Sequence, residues 1–271
     1  MNTAEYIRDL ESTSVYVIRE AYYRFGDKLA MLWSMGKDST TMLHLARKAF
    51  LGKLPFKVIH IDTSFKFKKI YEFRDKIVKD WSLDLAIAKN DMALAKGLSC
   101  EKSKFDCCAA LKTEALRNFI ETQDIKALLV GIRRDEHAIR AKERYFSQRD
   151  CEFKWSYRNQ SPELWTEYYE SQAESECHLR IHPLLHWREI DIWQYIKLER
   201  LPIVDLYLAK NNTRYRSIGC ECCCQPVISK ANTIDKIIRE IEKSDISERA
   251  GRAQDKENIY TMQKLRSLGY M

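Results

Sequence analysis

Apolar positions along the chain recur with two periods. Val15, Ile18, Ala21, Tyr22 and Phe25 return at helical spacing, which predicts a first helix over residues 13–26. Residues 29–34 open as an unbroken apolar run and read as a buried strand; helical periodicity resumes over 38–50. Phe56 to Thr63 reads as a second strand ending in polar residues, and Ile70 to Trp81 as a helix. Leu83 to Ala88 reads as a third strand, and Ala109 to Thr122 as a helix. Ala127 to Ile132 is apolar without alternation, as a strand covered on both faces should be. Beyond about residue 150 the pattern changes. Trp155, Tyr157, Trp165, Tyr168 and Tyr169 cluster; Ile181 to Leu185 reads as a short strand and Glu189 to Glu199 as a helix. Thr233 caps a helix carrying Ile234, Ile237, Ile238 and Ile241 on one face. Residues 249–271 are polar and are expected to cross the surface.

Strands alternating with helices predict an α/β fold: a parallel twisted sheet with helices on both faces. Residues 1–150 form the expected nucleotide-binding core with its N-terminal helix. Residues 151–271 form a mostly helical or irregular extension on the substrate side. Ligands on such sheets bind beyond the carboxyl ends of the strands. Three polar segments follow strands there, Ser34 to Thr40, Asp62 to Phe65 and Arg133 to Glu136, and they should meet in one cleft.

Composition narrows this only a little. With 271 residues and 45% hydrophobic content, the chain suits one large α/β domain, or a domain with an extension. No apolar run approaches the roughly 20 residues that a spanning helix needs, so no membrane partner and a cytoplasmic location are expected. A net charge of +7 admits an anionic partner such as nucleotide, sulfate or nucleic acid, but the basic residues are spread along the chain. Nine cysteines in an enzyme of this size read as metal ligands or buried thiols rather than a disulfide scaffold.

The segment SMGKDST sits between a buried strand and a helix. Such a turn offers successive backbone N–H groups and the positive end of a helix, and both attract phosphate. Gly36 permits close approach. Ser34, Ser39 and Thr40 supply hydroxyls, Lys37 a point charge, and Asp38 a helix cap or a magnesium ligand. Gly131 lies near the end of the strand Ala127 to Ile132. Downstream, Arg133, Arg134, Arg140, Lys142 and Arg144 fall close together from a strand end onward. The planar guanidinium fork matches tetrahedral oxyanions, so these arginines are candidates for the transferring phosphoryl centre and an incoming anion. A solvated face laced with Asp135, Glu136 and Glu143 is the alternative.

The loop resembles the SGGKDS pyrophosphatase loop of the PP-loop ATPases, with Met35 replacing a glycine and disfavouring a left-handed backbone there. The stretches SMGKDSTTMLHLARKAF, HIDTSFKFKKIYEFRD, LKTEAL, RRDEHAIRAKER, NQSPELW, IHPLLHWREIDIWQYI, YRSIGC, SERAGRAQD and LGYM resemble, in order along the chain, the small catalytic subunit of bacterial sulfate adenylyltransferases. These belong to the phosphoadenosine-phosphosulfate reductase-like superfamily. The resemblance implies cleavage of the α–β bond of ATP, with Mg²⁺, and transfer of AMP to sulfate with release of pyrophosphate. It implies nucleotide contacts at Ser34, Met35, Gly36, Lys37, Asp38, Ser39, Thr40, Asp62 and Gly131. It assigns chemistry to Lys37, Arg133, Arg134, Arg140 and Arg144. It also implies a separate GTPase subunit as partner, and an oligomer is expected.

Cysteines pose a second question. Cys107-Cys108 precedes LKTEAL, and Cys220, Cys222, Cys223 and Cys224 crowd GCECCCQP. Inert thiols, a zinc site, a redox disulfide and an iron–sulfur cluster all compete. The C-C … C-x-x-C combination resembles the four-iron–four-sulfur ligand pattern of adenosine phosphosulfate reductases. It implies a 4Fe-4S cluster on Cys107, Cys108, Cys220 and Cys223, with Cys222 or Cys224 as substitutes. Cys100, Cys151 and Cys177 read as structural, as do His44, His182 and His186, whose i,i+4 pair is broken by Pro183.

Three other functions stay open. Reduction of sulfonucleotides shares the cysteine pattern, but that family's late nucleophilic cysteine has no counterpart after Cys224. Activation of nucleic acid for sulfur insertion, as in DNA phosphorothioation or tRNA thiolation with a sulfur-donor protein, would suit the cluster and the charge. A non-catalytic nucleotide-binding module is the fourth.

Overall fold

The protein is described by a computed structural model covering residues 2–156, 158, 160, 178–244, 246–252, 264, 265, 267 and 269. Its first helix, α1, spans Thr3–Phe25 and starts ten residues before the predicted one. A capping box explains the early start. The Asn2 side chain accepts from the Glu5 N–H, and the Glu5 carboxylate accepts from the Asn2 N–H, both at 2.9 Å. Polar, exposed first turns had hidden this end from a reading based on apolar periodicity.

The chain then alternates through β1 (Leu29–Leu32), α2 (Lys37–Ala49), β2 (Lys57–Ile61), α3 (Lys68–Trp81) and β3 (Leu85–Ala88). Next come α4 (Asp91–Ala95), α5 (Lys104–Cys108), a π-helical turn (Ala109–Glu114) and α6 (Ala115–Thr122). The predicted helix over Ala109–Thr122 is thus an α-helix entered through a π turn. Strand β4 is Ala127–Leu129, β5 Phe146–Arg149 and β6 His178–Ile181. Helix α7 is Glu189–Leu198, β7 and β8 are Thr213–Arg214 and Val227–Ile228, and α8 is Ile234–Glu242. The strand predicted at Ile181–Leu185 lies earlier, because Pro183 opens a turn in which the Leu185 N–H reaches the His182 carbonyl. Tyr157, Trp165, Tyr168, Tyr169 and Cys177 lie outside the described residues.

The main sheet has the order β3-β2-β1-β4-β6-β5. Every pairing is parallel except the edge strand β5, which runs antiparallel to β6 with Ser147 opposite Arg180. The sheet is thus mostly parallel, as expected, with one antiparallel edge. Strand β6 comes from beyond residue 150 and sits between β4 and β5, so the extension contributes a strand to the core sheet.

Alternation along β1 sends Leu29 and Met31 to one face and Ala30 and Leu32 to the other. The first face packs on α1, α2, α7 and α8 through Val17, Leu43, Trp193 and Ile237. The second meets α6 through Leu116 and Ile120. Each fully buried leucine contributes about 1.5–3 kcal/mol from burial. Two covered faces hold the carboxyl ends of β1, β2 and β4 at one rim.

Candidate nucleotide cleft and adjacent thiol cluster

Strand β1 ends at Leu32, and four residues carry the chain to α2. Met35 adopts φ 61°, the left-handed conformation that glycine would take, with its side chain buried in the core. The substitution therefore keeps the loop's backbone shape, at a backbone cost of roughly 1–2 kcal/mol. Gly36 is extended and forms the N-cap of α2. The Ser34 N–H donates to Ser39 Oγ at 3.2 Å, and the Lys37 N–H donates to Tyr207 Oη at 2.9 Å. Trp33 Nε1 donates to Thr40 Oγ1 at 3.1 Å. Across the cleft, a Cβ on Gly131 would stand 3.4 Å from the Ser39 backbone, so the residues after β4 lie in van der Waals reach of the loop.

Leu32, Ile59, Ile61, Val130 and Ile132 form an apolar floor, and the loop and a group of cations form the rest. Lys37 is buried; its Nζ pairs with Glu248 and lies 3.6 Å from Asp38 Oδ2. Arg133 is fully buried, with Nε 2.6 Å from Asp38 Oδ1 and Nη2 on Glu248. Glu248 thus bridges the two cations nearest the loop. Burial works against the Lys37 charge, yet Asp38, Glu248 and Glu189 outweigh it and hold the pKa above the usual lysine value. Burial likewise opposes ionisation of Glu248, but Arg133 and Lys37 hold it well below the carboxylate range. Further along the wall, Arg140 and Arg249 both pair with Glu136.

Beside the cleft, Cys100, Cys107, Cys220 and Cys223 pack in one buried cluster with Ala93 and Leu111. Burial and the neighbouring thiols Cys108, Cys220 and Cys223 push Cys107 up to about 12. The Sγ atoms of Cys100, Cys222 and Cys223 lie within 4.8 Å of one another, and Cys100 is disulfide-bonded to Cys222. Cys100 therefore has a partner that sequence spacing did not reveal.

A family model, the phosphoadenosine phosphosulfate reductase domain, matches residues 28–226. Sulfate adenylyltransferase subunit 2 from Pseudomonas aeruginosa (strain LESB58) is 38% identical over 98% of both chains. The protein of the same name from Pseudomonas fluorescens (strain SBW25) is 39% identical over the same shares. The chain belongs to the sulfate adenylyltransferase subunit 2 family. Among solved structures, Candida glabrata FMN adenylyltransferase in complex with FAD and inorganic pyrophosphate aligns with a TM-score of 0.59 at 20% identity, over 83% of this chain and 66% of that one. The phosphoadenylyl-sulfate reductase from Candida auris aligns with a TM-score of 0.54 at 19% identity, over 82% and 97%. These two share the fold.

For this member of the sulfate adenylyltransferase subunit 2 family, the expected site residues divide into groups. Ser34, Gly36, Lys37, Asp38, Ser39, Gly131 and Arg140 line the cleft. Met35 and Thr40 are buried, Thr40 tied to Trp33, and Arg133 braces Asp38. Asp62 does not line it; its carboxylate accepts from the Ser64 N–H and the Tyr71 hydroxyl at the end of β2. Arg134 and Arg144 do not line it either. Arg134 donates to the Glu143 carbonyl and contacts His186, while the Arg144 carbonyl meets His182 Nδ1. Arg133 is extended while Arg134 opens a 3₁₀ turn (Arg134–Glu136), and the two side chains take different partners: Arg133 holds Asp38, and Arg134 holds the Glu143 carbonyl. The histidines are structural: His44 lies 3.1 Å from Tyr195 Oη, and burial lowers it to about 4. Sequence reasoning missed Glu248, Tyr207, Lys66, Lys112 and Arg252. Their only prior signal was membership of the matched stretches, or, for Tyr207, none.

Proposed function

We propose that the chain cleaves the α–β bond of ATP and transfers the adenylyl group to sulfate, releasing pyrophosphate. The observation that carries this reading is the strand–loop–helix turn with Lys37 at a cleft large in apolar floor, in a chain that aligns end to end with sulfate adenylyltransferase subunit 2. A sulfate oxygen attacks the α-phosphorus in line; the bond to the β-phosphate oxygen breaks, and pyrophosphate leaves. Loop N–H groups and Lys37 take up charge on the leaving group, and Asp38 and Arg133 fix the first turn of α2 beneath it. Asp38 faces the cleft and fits Mg²⁺, which would neutralise phosphate charge.

Cys107, Cys108, Cys220 and Cys223 fit a 4Fe-4S cluster. Three share one buried cluster, and Cys108 raises both Cys107 and Cys223 electrostatically. Crowded thiols with Lys112 beside them, which favours their thiolate forms, suit a soft metal that binds thiolate. A bound cluster would brace the α5–π-turn segment against residues 220–223 and could hold one electron. "Subunit 2" in the relatives' name supports a separate partner chain, for which a GTPase subunit is our reading. No helix among the described residues is long and apolar enough to cross a membrane.

The thiol cluster beside the cleft favours one second reading, ATP-driven activation of nucleic acid for sulfur insertion with a sulfur-donor protein. The test uses anaerobically purified protein, Mg-ATP with and without sulfate, and mass spectrometry of the nucleotides. Adenosine 5′-phosphosulfate formed only with sulfate is the expected result. AMP and pyrophosphate formed regardless of sulfate would overturn it in favour of the second reading.

A further inference from the structure

The cleft carries cations of two kinds. Lys37, Arg140 and Arg249 each have a carboxylate within reach, supplied by Asp38, Glu248 or Glu136. Lys66 and Arg252 line the same cleft, and neither pairs with a carboxylate among the described residues. Lys112, from the π-helical turn, lines it beside them. The electrostatic neighbours of Lys66 are Lys112, Arg252 and the thiols of Cys220 and Cys224.

This second group is built rather than incidental. The Lys66 backbone bridges to Cys220, and the Glu221 N–H donates to the Phe65 carbonyl at 2.7 Å, so the turn after β2 is stitched to the 220–221 loop. Arg252 is held by a backbone bridge to Cys224, by the Gln225 N–H on the Gly251 carbonyl at 2.9 Å, and by its Nη1 on Cys224 Sγ at 2.9 Å. Its Nε is buried with no hydrogen-bond partner among the described residues. Gly219 makes room for it, since a Cβ there would collide with the guanidinium. Like charges held together by backbone contacts, with a buried donor left open, mark a place for an anion.

We propose that Lys66, Arg252 and Lys112 form the subsite for the tetrahedral oxyanion that accepts the adenylyl group. This rests on the sulfate reading above and assigns its acceptor a place. The triphosphate takes the loop and Lys37. The acceptor takes the second group of cations, between the loop and the thiol cluster. Arg134 and Arg144, two of the four arginines nominated from the sequence for oxyanion contacts, do not line the cleft and have no part in it. The subsite orients one oxygen toward the α-phosphorus and offsets repulsion between two anions in one cleft.

The test compares the full-length wild type with Lys66→Gln, Lys66→Arg, Arg252→Gln and Gly219→Ala, each checked for an unchanged Tm. Two quantities are read: binding of radiolabelled inorganic sulfate by rapid dialysis with a non-hydrolysable ATP analogue present, and KM for sulfate and for ATP in adenosine 5′-phosphosulfate formation. The proposal expects Lys66→Gln and Arg252→Gln to weaken sulfate binding and raise its KM tenfold or more, with KM for ATP within twofold. Gly219→Ala should follow Arg252→Gln, and Lys66→Arg should recover most of the loss. Unchanged sulfate binding, or KM values for sulfate and ATP that rise together, would overturn it. A wild type that binds sulfate in a Lys66-dependent way but forms no phosphosulfate sinks the functional reading and leaves the anion subsite standing. A wild type that binds no sulfate overturns the subsite.

Discussion

Lys37 lines the cleft and Cys220 follows its lining residue Gly219; both are buried and both ionise against the pull of burial, but their surroundings have opposite sign. Lys37 is ringed by Asp38, Glu248 and Glu189, and its ammonium is held charged. Burial would raise the Cys220 thiol, yet Lys112, Lys66, the Thr63 hydroxyl and Arg252 bring it down to about 7. The loop end is thus internally neutralised before any nucleotide arrives. The thiol end is left with positive charge to spare. A cation matched by carboxylates is stable but must trade partners to bind phosphate. A cation without one is ready for an anion and costs stability until it comes.

The comparison breaks most easily at Lys37. Lys37→Ala should slow pyrophosphate release about 10²–10³-fold, the scale of losing one preorganised charge at a leaving group. A loss under tenfold, read in a coupled phosphate assay, would mean that the loop N–H groups suffice. Next is Glu248→Gln. Removing one member of a buried pair typically costs 3–5 kcal/mol, and with Asp38 remaining beside both cations we expect about 3 kcal/mol, measured by urea unfolding. The pKa of Glu248 is depressed in the folded state, so its contribution is complete above the ordinary carboxylate value of 4.5 and is lost as pH falls through the folded value. The gap between wild type and variant should therefore be full at pH 7 and shrink below about pH 4.5. Saturating Mg-ATP should narrow it too, because phosphate replaces the carboxylate. A gap indifferent to both would refute the neutralised-end description.

At the other end, Cys107→Ser or Cys220→Ser should abolish most bound iron and acid-labile sulfide in anaerobic preparations, while Cys224→Ser should not. Zinc in place of iron would make this a zinc site, and no metal would leave the thiols as packing. The smallest effect belongs to Met35→Gly. Relief of roughly 1–2 kcal/mol of backbone strain is set against about 1.5–3 kcal/mol of lost side-chain burial, so a slightly lower Tm and turnover within about threefold are expected. A large loss of turnover would show that the Met35 side chain does more than fill space.

Much of the neutralised end was legible in the sequence, because it is local. A buried strand, a glycine, a lysine and hydroxyls in seven residues place one another. The thiol end was legible only as two cysteine groups more than a hundred residues apart, joined by a resemblance. Glu248 could not be seen as the bridge to Lys37 and Arg133, since it lies in a polar stretch and its role depends on tertiary placement. Strand β5 was missed because Ser147 and Arg149, polar yet buried, give no period-2 signal. Arg134 and Arg144 looked equivalent to Arg133 by type and proximity, but tertiary contacts hold them away from the cleft, Arg134 on the Glu143 carbonyl and the Arg144 carbonyl at His182. The disulfide partner of Cys100 was likewise a matter of three-dimensional return, not spacing.

The position of β6 has a consequence for how the chain is made. The strand that seals β4 is supplied by residues 178–181, and β5 can pair only with that late arrival. On a ribosome, the first 150 residues emerge with the β4 edge bare, long before its neighbour is synthesised. An exposed edge is a template for pairing with other chains. Truncations ending near residue 150 should therefore aggregate, and a nascent chain stalled there should be a better chaperone client than one stalled past residue 200.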